Sequence, residues 1–357
     1  MTVTSGAAAP PSVVATPARR KGRSHIRGNE GIGGWLFVSP ALIGLMLFVV
    51  LPIALALYIS FTKWSGTTSP FSSGAKWIGL RNYKNLLSGG SLTQQNFARS
   101  IENNFYFVLF VVPTQTILAL VLAVLVNGKF LKGKSFFRTA FYFPSVTSSV
   151  AITLVFIFLF QGSGAVNRLL SFVGIHGPNW FADSNGLVHN LLGVFGVHSP
   201  PAWAKHVIFT RSIWDWTAGP SMAMCAIIIL VIWTTSGTFM LMFLAALQNI
   251  SEEIEEASEI DGANAVQRFW RVTVPMLRPT LLLVLTLGLI STWQVFDQIF
   301  LTGNNQGTTT PAYLSYTTSF ENSAFGSGAA IAFLLFALIT VLSTAQRFIL
   351  RDKDAET

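Results

Sequence analysis

The sequence predicts an all-α, polytopic membrane fold with six transmembrane helices, and three observations carry the prediction. Of the 357 residues, 51% are hydrophobic and only 11% are charged, against roughly 25% charged in soluble proteins. The mean hydropathy is +0.55. The apolar residues also gather into six runs long enough to cross a hydrocarbon core, with the charge collected between them. The single cysteine, Cys225, lies inside one of these runs. It excludes an intrachain disulfide and any metal cluster built on cysteines. The net charge of +8 is read as a topology signal rather than as nucleic-acid binding.

Residues 1–34 are rich in Ala, Pro, Ser and Gly and carry Arg19, Arg20, Lys21, Arg23 and Arg27. They are expected to be a disordered, basic cytoplasmic tail. A secretory signal is disfavoured, because the following run is too long and no small-residue cleavage site ends it. Residues 35–104 hold the first span, Trp35 to Phe61, and an extracytoplasmic segment with WIGLRNYKNLL. At 1.5 Å per residue that span would reach about 40 Å, so tilt is expected, and Pro52 is placed to kink it.

Residues 105–350 are expected to form the core, with five further spans. The second is Phe105 to Val126 and the third is Ala140 to Phe160, with Pro144 near its start. A mixed stretch at 161–219, rich in Gly, Pro and Asn, predicts short helices and turns. Leu187 to Val197 is apolar but too short to span. The fourth, fifth and sixth spans are Ser221 to Leu247, Thr280 to Phe300 and Ser327 to Ile349, and a charged tail at 351–357 closes the chain. With the amino terminus inside, the inner side holds fifteen Lys and Arg, counting Arg347 at the inner end of the sixth span, and the outer segments eight. The bias predicts both termini in the cytoplasm.

Between spans four and five, six of the fifteen acids fall within ten residues: Glu252, Glu253, Glu255, Glu256, Glu259 and Asp261. Ser251 is positioned to cap a helix, with Glu252 and Glu253 on its first amides. Ile250, Ile254 and Ala257 recur at helical spacing as a narrow apolar stripe. Asp261-Gly262 breaks the helix. A second helix is expected from Ala263 to Val272, ending before Pro275. Two short helices at an angle between two spans suit a docking surface; the plain alternative is a solvated, charged loop.

The spacing Glu256-Ala257-Ser258, three residues, Gly262, nine residues, Val272-Thr273-Val274-Pro275 resembles the cytoplasmic signature of permease subunits of binding-protein-dependent ABC importers. WLFVSPALIGLMLFVVLP, WIGLRNYKNLL and STWQVFDQIFLTG look like the first permease subunit of the maltose-type carbohydrate uptake group. Residues 183–213 look like an insertion, and GNNQG at 303–307 departs from the group's usual Gly-Gly-Pro. The resemblance implies the type I importer permease fold, with residues 249–278 as a coupling loop. It implies a heterodimer with a second permease subunit, two copies of a cytosolic ATPase and an extracytoplasmic solute-binding protein. ATP and Mg would sit on the ATPase, with no cofactor, metal or catalytic residue on this chain. The absence of a GxxxxGK[ST] phosphate loop agrees with that division.

The coupling candidates are Glu256, for a polar contact to the ATPase; Ala257 and Ser258, small enough for close approach; Asp261 and Gly262 at the turn; and Pro275 at the exit. For the solute path the candidates are Trp233, Thr234, Thr235 and Ser236 in span four, and Trp293, Gln294 and Asp297 in span five. Hydroxyls in a span also serve plain helix packing, whereas an acid in a span points to function by default. Counted from the inner end, Asp297 lies about 27 Å along the fifth span. The reading is a bilayer-embedded permease for a sugar or oligosaccharide. A glycerol-phosphate permease would favour basic residues near the site. A secondary transporter would favour internal repeats and mid-span acids, and a membrane enzyme would favour paired catalytic groups.

Overall fold

The computed structural model describes residues 29–88, 90–128, 131–183, 186–197, 199–208, 211–303 and 306–350. The basic tail and the carboxyl-terminal tail read from the sequence lie outside those residues, apart from 29–34. The chain divides into two units, residues 1–54 and 55–357.

The first unit is helical: α1 (Asn29–Leu45), a wider π turn at Met46–Val50, and the start of α2 (Leu51–Ser60). The wide turn has a local cause. Leu51 N–H reaches back to Met46 O, five residues away, immediately before Pro52. Proline has no N–H and crowds the carbonyl four residues earlier, so the wider turn makes room for its ring. Trp35, Phe37 and Phe48 are all exposed, as a helix face turned to lipid requires.

In the second unit, β1 (Thr62–Lys63) and β2 (Lys76–Trp77) pair antiparallel. α3 (Arg81–Ser88) follows, and Asn82 donates to Ser60 O and Thr62 O at 2.8 and 2.9 Å. These bonds cap the open end of α2. α4 (Leu92–Asn127) is capped by Ser91, whose hydroxyl accepts from Gln94 N–H. The third apolar run departs from the straight span expected at 140–160. It forms α5 (Lys134–Val146) and α6 (Ser149–Leu159), which meet at 95°. The break falls in Ser145-Val-Thr-Ser-Ser149. There Ser145 and Thr147 turn their hydroxyls onto Tyr142 O and Phe143 O, competing with the helical N–H groups.

The segment up to the next span holds α7 (Ala165–Phe172), α8 (Leu187–Val194), strands β3 (Val207–Ile208) and β4 (Arg211–Ser212), and α9 (Ile213–Trp216). α10 (Met222–Gln248) is the fourth span. The short helices α11 (Glu252–Ile260), α12 (Ala265–Arg268) and α13 (Val274–Met276) follow. The fifth run is also interrupted, as α14 (Arg278–Trp293) and α15 (Asp297–Thr302). α16 (Pro311–Tyr316) and α17 (Phe325–Leu350) complete the chain. Among the described residues, five helical stretches are long and apolar enough to cross a membrane, or six counting the bent α5–α6 pair.

The core is built on α4 and α10. One cluster joins Val126, Phe243, Leu247, Leu277 and Val284 at the end carrying α11–α13. The other joins Phe107, Met224, Ile227, Ile299 and Tyr313 at the opposite end. α5 packs on α10 through backbone: a Cβ on Gly237 would stand 2.2 Å from Phe141 O. Only glycine permits that approach.

Candidate functional site

The polar stretch after α10 folds into the two short helices expected of it. α11 ends in a Schellman motif. Gly262 N–H bonds Glu259 O, Ala263 N–H bonds Ser258 O, and Gly262 takes φ +79°. Asn264 and Gln267 form a reciprocal capping box that starts α12. Three details differ from expectation. Ser251 occupies the cap position of α11 without a side-chain bond. The second helix starts at Ala265, not Ala263. It does not stop before Pro275: a π turn at Phe269–Thr273 puts Val274 N–H on Phe269 O and carries the helix into α13. This is the device seen before Pro52.

The expected apolar stripe also turns out differently. Ile250 packs against the core, whereas Ile254 and Ala257 are exposed and Ser258 is the buried residue of α11. Ser258 donates to Glu255 O at 2.7 Å. Glu256, Asp261, Gly262 and Pro275 are exposed. Glu259 pairs with Arg268 across the turn, bracing the two helices. Beside these acids stand three large apolar side chains: Ile260, 86% exposed, Val266, 67%, and Trp270, 64%. The sequence reading passed over them, although apolar residues inside so polar a run were the available signal. Together they make a charged and apolar surface, the composition of a protein contact.

The second feature is a cavity of about 490 Å³ between α5–α6, α10 and α14. Ser145, Thr147, Ser149, Thr234, Thr235, Thr238, Ser291, Gln294 and Gln298 supply its polar groups, and Ile152, Phe239, Leu287 and Ile290 its apolar wall. A second cavity, of about 250 Å³, shares Thr235, Ser291, Gln294 and Gln298 with it and adds Phe107, Phe296 and Asp297. Among the described residues, no Lys or Arg lines either one.

Of the solute-path candidates, Thr234, Thr235, Gln294 and Asp297 reach these walls. Trp233, Ser236 and Trp293 do not. Trp233 stacks on Phe156 at 5.8 Å between ring centres, Ser236 is buried with its hydroxyl turned to Ile232 O, and Trp293 is buried in a cluster with Leu335 and Ile339. The reading missed Ser145, Thr147, Ser149 and Gln298. The first three lie at the α5–α6 break and Gln298 lies just past the α14–α15 break.

The break in the fifth span is itself supported. Asn104 donates to Trp293 O at 3.0 Å and Thr310 to Val295 O at 3.2 Å. Carbonyls freed within a span need such donors, because lipid offers none. The arrangement exposes hydroxyl and amide groups around one carboxylate, suited to a polyhydroxyl solute rather than to an anion or a metal.

Residues 115–354 match the family described as binding-protein-dependent transport system inner membrane component. The chain is 31% identical to the probable ABC transporter permease protein YesP of Bacillus subtilis over 332 residues, covering 91% of this chain and 92% of that protein. It is 29% identical to the lactose transport system permease protein LacF of Rhizobium radiobacter, covering 93% and 98%. Among solved structures, a bacterial ABC transporter involved in the import of the acidic polysaccharide alginate superposes with a TM-score of 0.69. It covers 91% of this chain and 98% of that one at 19% identity. The chain belongs to the binding-protein-dependent transport system inner membrane components.

Proposed function

We propose that this chain is one half of a heteromeric pore that imports a sugar or oligosaccharide, driven by ATP hydrolysed on a partner. The observation that carries the reading is the cavity between the two interrupted spans. It offers a ring of hydroxyl and carboxamide groups, an apolar side and no cation, as recognition of a neutral polyol requires. Relatives named for lactose, multiple sugars and arabino-oligosaccharides support the substrate class. An alginate transporter solved with its sugar-loaded periplasmic protein supports a separate binding protein as partner.

The mechanism follows from the two features together. An ATPase dimer closing on α11–α13 would push on a surface whose halves are braced by Glu259–Arg268. The push enters α10 and α14, which frame the cavity, and the solute site is exposed alternately to the two sides. In this reading both termini lie in the cytoplasm, with α11–α13 on the same side, as the bias of Lys and Arg supports.

The test is affinity purification of the chain from its native membrane in mild detergent, with mass spectrometry of what accompanies it. Recovery of a second permease and an ATPase is expected. The Glu256→Lys variant should lose the ATPase and keep the permease. A chain that comes out alone or as a homodimer overturns the reading in favour of a secondary transporter.

A further inference from the structure

Ser149 is the first residue of α6 and Asp297 the first of α15, so each opens the helix that follows a break in its span. The Ser149 hydroxyl donates to the Asp297 carboxylate at 2.9 Å, and the Gln298 amide reaches the same hydroxyl at 3.4 Å. Two interrupted spans, 148 residues apart in the chain, are thus joined across the solute cavity at their breaks.

We propose that the Ser149–Asp297 contact is a charge-selective latch on the solute path, opened by the hydroxyls of a neutral solute and closed to anions. The proposal rests on the transport reading above and adds a residue-level gate to it.

The two breaks are held differently. The α14–α15 break is tied to its surroundings through Asn104 and Thr310. At the α5–α6 break, Ser145 and Thr147 bond only carbonyls of α5 itself. Ser149 is therefore the side chain that carries hydrogen bonding from this break to span five. α6 packs along α15, with Ile152 and Thr153 buried one turn from Ser149, and touches α10 through the Phe156–Trp233 stack. The latch therefore opens by rotation of the Ser149 hydroxyl off the carboxylate, with the helix itself staying seated. One exposed hydrogen bond to a carboxylate is a modest closure. A sugar hydroxyl supplies the same donor, so exchanging Ser149 for solute leaves the carboxylate bonded throughout. A carboxylate or phosphate on the solute brings no donor and meets the charge of Asp297, with no Lys or Arg in either cavity wall to offset it. The latch would thus set this chain apart from a path built for an acidic polysaccharide, whatever its likeness in fold.

Two measurements test it, both in the assembled transporter on a Cys225→Ser background. In the first, a Ser149→Cys, Asp297→Cys double variant is bridged with a short bis-methanethiosulfonate reagent, and uptake of labelled oligosaccharide is followed. Bridging should cut uptake at least tenfold relative to the unbridged double variant, and dithiothreitol should restore it. Failure of the bridge to form, or uptake unchanged once it has formed, overturns the latch. In the second, a Ser291→Cys variant is modified with cationic and anionic methanethiosulfonates. Adding Asp297→Asn should lower the ratio of cationic to anionic rate by roughly five- to tenfold; an unchanged ratio overturns the charge selection. Bridging and modification rates stay measurable even if the wild-type transporter takes up no sugar. That outcome would count against the substrate reading alone.

Discussion

Thr235 on α10 donates its hydroxyl to Gln115 Oε1 on α4 at 2.6 Å, and Gly288 on α14 leaves the room in which Gln115 lies. A Cβ on Gly288 would stand 2.6 Å from Gln115 Nε2. Gln115 is fully buried and its Nε2 has no partner among the described residues. Three spans thus meet at one amide beside the cavity wall, and Thr235 belongs to that wall. A bulky side chain at 288 has nowhere to go in a packed interface. Gly288→Leu should destabilise the protein by about 1–3 kcal/mol. Gln115→Met removes one acceptor, yet the single Thr235 proton has another within reach, Val231 O at 2.7 Å. It should cost under about 1.5 kcal/mol. Thermal unfolding in detergent separates the two.

The exposed apolar trio Ile260, Val266 and Trp270, on the stretch proposed to meet the ATPase, gives a second expectation. Trp270 and Ile260 touch little of their own chain, so Trp270→Ala and Ile260→Glu should change stability by less than about 0.5 kcal/mol. Buried against a partner, the same side chains become anchors, and truncating one should weaken the complex by about 2 kcal/mol or more. Co-purification of the ATPase, with the unfolding temperature as control, reads both quantities. Loss of stability without loss of the partner would assign these residues to the fold instead.

How much of this was legible in the sequence divides along physical lines. The spans are runs of about 20 apolar residues and announce themselves. The two short helices after α10 were legible because the acids of the first, Gly262 at the turn and Pro275 keep a fixed spacing. The two breaks were not legible. Ser145, Thr147, Ser148 and Ser149 look like hydroxyls inside a span, and Gln294 like a lone amide ahead of the apolar Val295 and Phe296; the donors that stabilise the second break, Asn104 and Thr310, are set by tertiary packing. The faces of α10 were not legible either. Trp233, Thr234, Thr235 and Ser236 are consecutive, and a helix turns 100° per residue. Two of the four reach the cavity while Trp233 turns to α6 and Ser236 into the core. With a hydrophobic residue on almost every side of α10, no periodicity marked which face would be which.

Asn104 should therefore matter more than a residue one turn from the cavity would suggest. It is fully buried and caps Trp293 O at the break. Asn104→Leu leaves that carbonyl without its donor, at a cost of about 1–3 kcal/mol. Thr310→Val removes the second donor, from Val295 O, with little change of shape, and should cost about 1 kcal/mol. If span five instead re-forms as a continuous helix in Asn104→Leu, the unfolding temperature will hold while the cavity residues Gln294 and Gln298 move. Hydrogen exchange across 290–300 would reveal that outcome as new protection.

The 183–213 segment is tied to the start of α10 through backbone bonds at Gly186 and Leu187 and to α4 through an ion pair, whose removal should show how far the segment supports the fold. Arg211 on β4 bonds Glu102 on α4, with side-chain exposures of 15% and 4%. Glu102 is thus a carboxylate withdrawn from water, with the Arg211 guanidinium from the 183–213 segment bonded to it and Arg99 as a second cation beside it. Removing Arg211 leaves the buried acid with Arg99 alone, a cost at the low end of the roughly 3–5 kcal/mol typical of a broken buried pair. Replacing both partners removes that penalty along with the attraction. Arg211→Ala should therefore destabilise strongly, and Arg211→Ala with Glu102→Gln should regain most of the loss. A double-mutant cycle by thermal unfolding measures the coupling directly. If the insertion were a passive surface loop, both variants would unfold at the wild-type temperature. A large coupling would make it a strut tying the amino-terminal end of α4 to the strand pair before α10, beside the loop that carries Gln306, to which Arg99 donates.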